Sequence, residues 1–257
     1  MAYKQQGFAL LTALLLSVNA AAQGNEGQNR RQVEQYGWLY GIGIGLDQGI
    51  YKDFDTRVLP LPLIGYRSEN LTVFGPFVNY HFYRQAGFEF SARLVPVFEG
   101  YDESDSPVFA GMQDRDFSLA LGLGASYQQG DLKFEVTASH DVLNRSDGYE
   151  AGFSVSKVFR YGPFFIEPSA SVKYQDSNYI DYYYGVQTSE ATPSRAQYTG
   201  QNALNKAIGI SVATPIFLEG MTRLSIENTW YDDAIADSPL TDSDSSIRVM
   251  MSYSRFF

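Results

Sequence analysis

His81 and His140 are the only histidines in 257 residues, and there is no cysteine. Without thiols, a cysteine nucleophile, a thiolate zinc site, an iron–sulfur cluster and a disulfide framework are excluded. His140 stands between Ser139 and Asp141, which as text looks like a hydrolase string. On a strand, however, neighbours face opposite sides, so these three side chains form no Ser-His-Asp relay by themselves. A triad assembled across strands with His81 or His140 is the least favoured reading, a lipid-modifying enzyme. Gly41-x-Gly43-x-Gly45 lacks the third-glycine spacing and the following helix of a dinucleotide loop. Asp102, Glu103 and Asp105 form one acidic stretch, and Asp232, Asp233, Asp237, Asp242 and Asp244 another. Calcium takes several oxygen ligands, yet no twelve-residue EF-hand pattern is present. The reading is a non-enzyme with no catalytic residue, no cofactor and no metal.

Whatever these residues do depends on the elements that hold them. Aromatics make up 15% of the chain and apolar residues 44%, against 19% charged. A chain this rich in aromatics is not disordered. The net charge of −10 opposes phosphate, so nucleic acid is not a partner. No run of 18 apolar residues occurs, which excludes a bundle of membrane helices. At the N-terminus, Lys4, the apolar stretch Phe8 to Val18 and the small residues Ala20 to Ala22 have the three parts of a secretory signal peptide. The expected organisation is a signal peptide over 1–22, a polar tract over 23–35 and one β domain over 36–257. Loss of Lys4 leaves 18 basic and 29 acidic residues, or −11.

From residue 36 onward the pattern has a period of two, the strand signature. Phe117, Leu119, Leu121, Leu123, Ala125 and Tyr127 share one parity; Ser118, Ala120, Gly122, Gly124 and Ser126 share the other. The alternation predicts about twelve strands (10–14) at 37–46, 57–66, 71–82, 87–98, 115–127, 131–141, 148–159, 163–174, 179–187, 205–215, 221–230 and 246–257. Most are long enough for a tilted strand to cross a bilayer, which takes about 9–11 residues. One parity is apolar and the other small or polar. Aromatics sit at segment ends: Trp38, Tyr66, Tyr127, Phe159, Tyr174, Trp230 and Tyr231. Such girdles favour lipid outside and polar groups inside. The fold class is all-β: a transmembrane, antiparallel, up-and-down β-barrel in the outer membrane, in contact with its lipid and lipopolysaccharide. Tyr253 and Phe257 on the last strand fit a signal read by the barrel assembly machinery.

Ten charged residues fall on the inner parity: Glu89, Arg93, Lys133, Glu135, Glu150, Glu167, Lys173, Arg223, Glu227 and Arg248. Their mixed signs fit a lattice of ion pairs better than a selective conduit, although a small-solute channel is the main alternative function. The strand order places the long connection 99–114 at the same end as the termini. Either a strand before 99 goes unrecognised, or the barrel has a substantial periplasmic loop.

Four groups of residues stand out in order along the chain: Leu59-Pro60-Leu61-Pro62-Leu63-Ile64 with Tyr66-Arg67; Gly100-Tyr101-Asp102 followed by Gly111-Met112-Gln113-Asp114-Arg115; Tyr182-Tyr183-Tyr184-Gly185-Val186; and Ser238-Pro239-Leu240. Together they resemble the MipA/OmpV family of outer-membrane proteins. Arg255-Phe256-Phe257 departs from the more usual Tyr-x-Phe ending. The resemblance spans the whole β domain. It implies a Gram-negative outer-membrane barrel whose namesake is a scaffold, bringing together a murein-degrading lytic transglycosylase and a penicillin-binding synthase. On that reading the candidate partner-binding loop contains Tyr101, Asp102, Gly111, Met112, Asp114 and Arg115.

Overall fold

The computed structural model describes residues 35–54 and 56–257. The expected leader over 1–22 and all but the last residue of the 23–35 tract lie outside them. The strands are β1 Gly37–Asp47, β2 Arg57–Arg67, β3 Leu71–Phe74, β4 Phe77–Gln85, β5 Phe88–Val97, β6 Ser118–Gln129 and β7 Leu132–Asp141. They continue as β8 Tyr149–Lys157, β9 Phe159–Tyr161, β10 Phe164–Gln175, β11 Ala203–Phe217, β12 Gly220–Trp230 and β13 Ser245–Phe256. β8 and β9 both pair with β10 and form one stave interrupted at Val158, giving twelve staves. β1 pairs with β13 from Leu39↔Phe256 to Asp47↔Arg248, which closes the barrel.

The parity sorts as hydrocarbon solvation requires. On β1, Trp38, Tyr40, Ile42, Ile44 and Leu46 are exposed outside, while Leu39, Gly43, Gly45 and Asp47 are buried inside. Glycine is needed at 41, where a Cβ would lie 2.1 Å from the Tyr253 carbonyl oxygen. β2 departs from the small-or-polar rule, because Leu59, Leu61 and Leu63 point inward.

Two expected strands are corrected. Segment 71–82 is a hairpin, β3 and β4, reversing at Gly75-Pro76 with Gly75 at φ 57°. Segment 179–187 is not a strand; it holds α1, Ser177–Tyr184. A second short helix, α2, spans Asp233–Ala236. The two miscounts cancel in the total but not in the topology. The extra strand before residue 99 moves the connection 98–117 to the end opposite the termini. All the long connections, 48–56, 98–117, 142–148, 176–202 and 231–244, then share that end. The turns at 68–70, 86–87, 130–131, 162–163 and 218–219 share the end that carries both termini. Short periplasmic turns and long extracellular loops are the rule for such barrels.

Candidate functional site: a closed mouth over an ion-paired lumen

Loops 48–56, 98–117 and 176–202 leave the wall four staves apart, a third of the circumference each. They nevertheless touch one another, so they must span the mouth. Tyr51 is the hub. Its ring lies 5.5 Å from Tyr101, 5.2 Å from Phe109 and 5.4 Å from Tyr184, and its hydroxyl donates to Tyr183 O at 3.1 Å. Tyr101 and Phe109 stack at 3.8 Å. Loop 231–244 completes this cap with Ile235 and Leu240, both fully buried. Ser238 Oγ donates to Tyr184 O at 2.7 Å.

Helix α1 supplies the third wall. Asp176 caps it, its carboxylate accepting from Tyr179 N at 3.0 Å, as N-caps do. Tyr179, Ile180, Tyr183 and Tyr184 then share one buried face. Burial pushes the hydroxyls of Tyr51 and Tyr184 well above the ordinary tyrosine range.

Buried charges lock the cap. Arg115 and Glu190, with side chains 4% and 3% exposed, pair at 3.0 Å. Arg115 Nε also donates to Tyr182 O at 2.7 Å. Glu190 accepts from the backbone N–H of Gln113 at 3.0 Å and of Gln187 at 3.1 Å. Burial raises the Glu190 pKa, but those N–H groups and the Arg115 guanidinium outweigh it and hold the carboxyl below its ordinary range. Arg195 donates to Val108 O, Ala110 O and Glu190 O, tying the same two loops again. Of the expected partner-binding residues, Tyr101, Met112 and Arg115 are therefore buried inside the cap, while Asp102, Gly111 and Asp114 are exposed on it. Tyr231, expected in a girdle, also belongs to the cap.

Below the cap, each of the ten inner charges has a partner of opposite sign. Glu135 takes Arg93 at 3.0 Å and Lys133 at 2.8 Å. Arg223 faces Glu167 at 3.6 Å, Lys173 faces Glu150 at 3.7 Å, and Arg248 bridges Asp47 and Glu227 at 3.9 and 3.5 Å. Glu89 takes His81 at 2.8 Å and Arg84 at 2.7 Å. Arg93, Glu135, Glu167 and Arg223 are buried, as are Leu61 and Leu63 across the barrel. These pairs line the inner wall, where the Lys173 side chain is still 42% exposed.

The alignment of this chain to the family model for MltA-interacting protein MipA runs over residues 40–257. The chain belongs to the MipA family. It is 28% identical over 236 residues to outer membrane protein Omp26La of Vibrio anguillarum, covering 91% of this chain and 92% of that one. Outer membrane protein OmpV of Vibrio cholerae gives the same identity and coverage. MltA-interacting protein of Escherichia coli K12 is 26% identical over 209 residues, covering 79% and 83% of the two chains. Among solved structures, the NanC porin aligns with a TM-score of 0.47 and 9% identity over 85% of this chain and all of that one. This MipA-family chain is an outer-membrane β-barrel.

In the MipA-family barrel the histidines do not form the triad. His140 faces outward, stacked 4.2 Å from Tyr149, with Nδ1 3.1 Å from Gly148 O. Ser139 lies on the opposite parity. Asp141 is buried instead, accepting from the N–H groups of Leu143, Arg145, Ser146 and Asp147 and so shaping loop 142–148. His81 lies inside, between Glu89 and Asn79 Nδ2 at 3.2 Å. Glu190 and Arg195 have no legible signal, because irregular loops have no period against which a buried charge stands out. Phe257 is 87% exposed, its ring 4.9 Å from Tyr40, and Tyr253 donates to Leu218 O at 2.9 Å.

Proposed function

We propose that this barrel is a non-enzymatic docking protein that holds murein-degrading and murein-synthesising enzymes at the outer membrane. The closed mouth over an ion-paired lumen carries the reading, because it leaves the outer surfaces to do the work. A relative that shares 26% identity is named for interaction with MltA, and the family resemblance adds a lytic transglycosylase and a penicillin-binding protein as partners. The docking surface is the turn end, not loop 101–115, since only the turn end meets the periplasm. That rim exposes Arg84, Lys157 and Arg160, with Tyr161 and Leu218 each 78% exposed. Arginine and aromatic side chains are enriched in protein interfaces, and here they stand among the exposed acids Glu69, Asp131 and Glu219. Export through a 1–22 leader, insertion by assembly machinery reading Tyr253 and Phe257, and lipopolysaccharide around the outer rim complete the reading.

The test is capture from periplasmic extract by the detergent-solubilised, folded barrel, with a lipase-type barrel as control. Enrichment of a lytic transglycosylase or a penicillin-binding protein, lost on Arg84→Glu with Arg160→Glu and kept on Asp102→Asn, supports the reading. Enrichment of neither enzyme by the unmodified barrel sinks it.

A further inference from the structure

Just beneath the cap the charges do not balance. Asp47 on β1, Glu150 on β8, Lys173 on β10, Glu227 on β12 and Arg248 on β13 all lie within three residues of the loop end of their strands, and Glu99 follows β5 at the same level. Four acids stand against two bases. Lys173 is taken by Glu150, and Arg248 by Asp47 and Glu227. Glu99 has no ion pair among the described residues. Its charge nevertheless acts on Asp47, Glu150, Lys173, Tyr179, Tyr184 and Tyr231 together. Those groups belong to β1, β8, β10, α1 and the loop after β12. Only a position near the barrel axis reaches all of them.

There is room at this level. Lys173 shares the inner parity of β10 with Glu167 and Gln175, which are buried, yet its own side chain is 42% exposed. With the mouth closed above, an inward side chain can be exposed only to space inside the barrel. Two buried oxygens beside that space have no hydrogen bond. Tyr179 is 2% exposed and its hydroxyl has no partner; the charges that act on it most are the Glu99 and Glu150 carboxylates. Asp47 is 5% exposed and its Oδ1 accepts nothing, because Arg248 Nε, 3.9 Å away, is too far to donate. Buried polar atoms normally have a partner.

We propose that this chamber binds a linear diammonium cation, one end held by Glu99 and Tyr179 and the other by Asp47. Two positive charges cancel the surplus left by four acids and two bases. The acids stand on separate staves, so a flexible alkyl chain between two ammonium groups reaches what a compact ion does not. Among the described residues no three acidic or histidine side chains gather to hold one metal ion. The tyrosine rings of the roof attract ammonium through their faces, and an anion meets the wrong sign. The chamber lies at the opposite end from the docking rim, so either reading can fail alone.

The folded, detergent-solubilised barrel is brought to equilibrium by dialysis against the terminal diamines diaminobutane and diaminooctane, with butylamine and calcium chloride as comparison probes. Retention of one diamine per barrel, about tenfold tighter than butylamine, is the expected result for loss of one charge-assisted contact. Glu99→Gln should weaken diamine retention by about the same factor. Tyr179→Phe, which changes no charge, should weaken it less, and Asp233→Asn on the outer loop should leave it unchanged. β-sheet circular dichroism confirms that each variant is folded. No diamine retained by the unmodified barrel or by Glu190→Ala, whose cap is loosened, overturns the proposal. So does undiminished retention by both Glu99→Gln and Tyr179→Phe, or calcium retained ahead of both diamines.

Discussion

At the scale of single residues, Arg115 and Glu190 decide whether the loops form a lid or four separate strings. Either charge left alone in that interior is costly: truncating one partner of a buried pair costs about 3–5 kcal/mol. Glu190→Ala should therefore free loops 98–117 and 176–202 while the strands stay paired, read as faster hydrogen exchange at residues 179–190 with unchanged β-sheet circular dichroism. Uniform exchange in both proteins would contradict it. Because the folded Glu190 pKa is depressed, its contribution is complete above the unfolded value of about 4.3 and disappears as pH falls through the lower folded value. The buried tyrosines act from the other side. The raised Tyr51 and Tyr184 pKa values stabilise the cap below about pH 10 and weaken it above. The cap should hold as a plateau across neutral pH and exchange faster at both extremes. A loss near pH 6 would point to histidine instead.

At the scale of elements, turns and hairpins set register and sides. Leu218 and Glu219 link β11 to β12 with both φ angles positive, 48° and 56°. Left-handed backbone costs a non-glycine residue about 1–2 kcal/mol, and Asn-Gly is favoured in such a turn. Leu218→Asn with Glu219→Gly should raise stability by about 1–2 kcal/mol, seen as a higher urea midpoint in refolding vesicles. A lower midpoint would show that the Glu219–Arg255 pair matters more. The same scale explains what the amino-acid order revealed. Long strands such as β6 are legible because every second side chain must face lipid. The β3–β4 hairpin is not, since the chain reverses within the two residues Gly75-Pro76 and apolar residues, Phe74 and Phe77, flank them directly on both sides. Helix α1 has a legible start at Asp176 and a face at Tyr179, Ile180, Tyr183 and Tyr184, but three consecutive tyrosines also suit a strand. Of the cap, Tyr101, Met112 and Arg115 stood out by resemblance; that they face inward emerges only once the loop is at the other end of the barrel.

At the scale of the whole molecule, two barriers stand in series between the barrel's ends. The cap is held by a few buried charges and an aromatic cluster, and it is the weaker of the two. The second is the lattice of paired charges on β5, β7, β10, β12 and β13 that lines the lumen together with the inward leucines of β2. Opening the first barrier should leave the second in place. In planar bilayers the unmodified barrel should show no discrete conductance steps, and Glu190→Ala, with its cap loosened, should stay silent as well. A further variant separates the barriers. Arg223→Ala with Glu167→Ala removes one buried pair without leaving an unpaired charge, and it shortens both side chains inside the wall. Only in combination with Glu190→Ala should it admit small ions. Steps from the unmodified protein would mean that the cap and the ion-paired lumen open together and that the barrel works as a channel. Steps from Glu190→Ala alone would mean that the lumen pairs part readily and that the cap is the true gate.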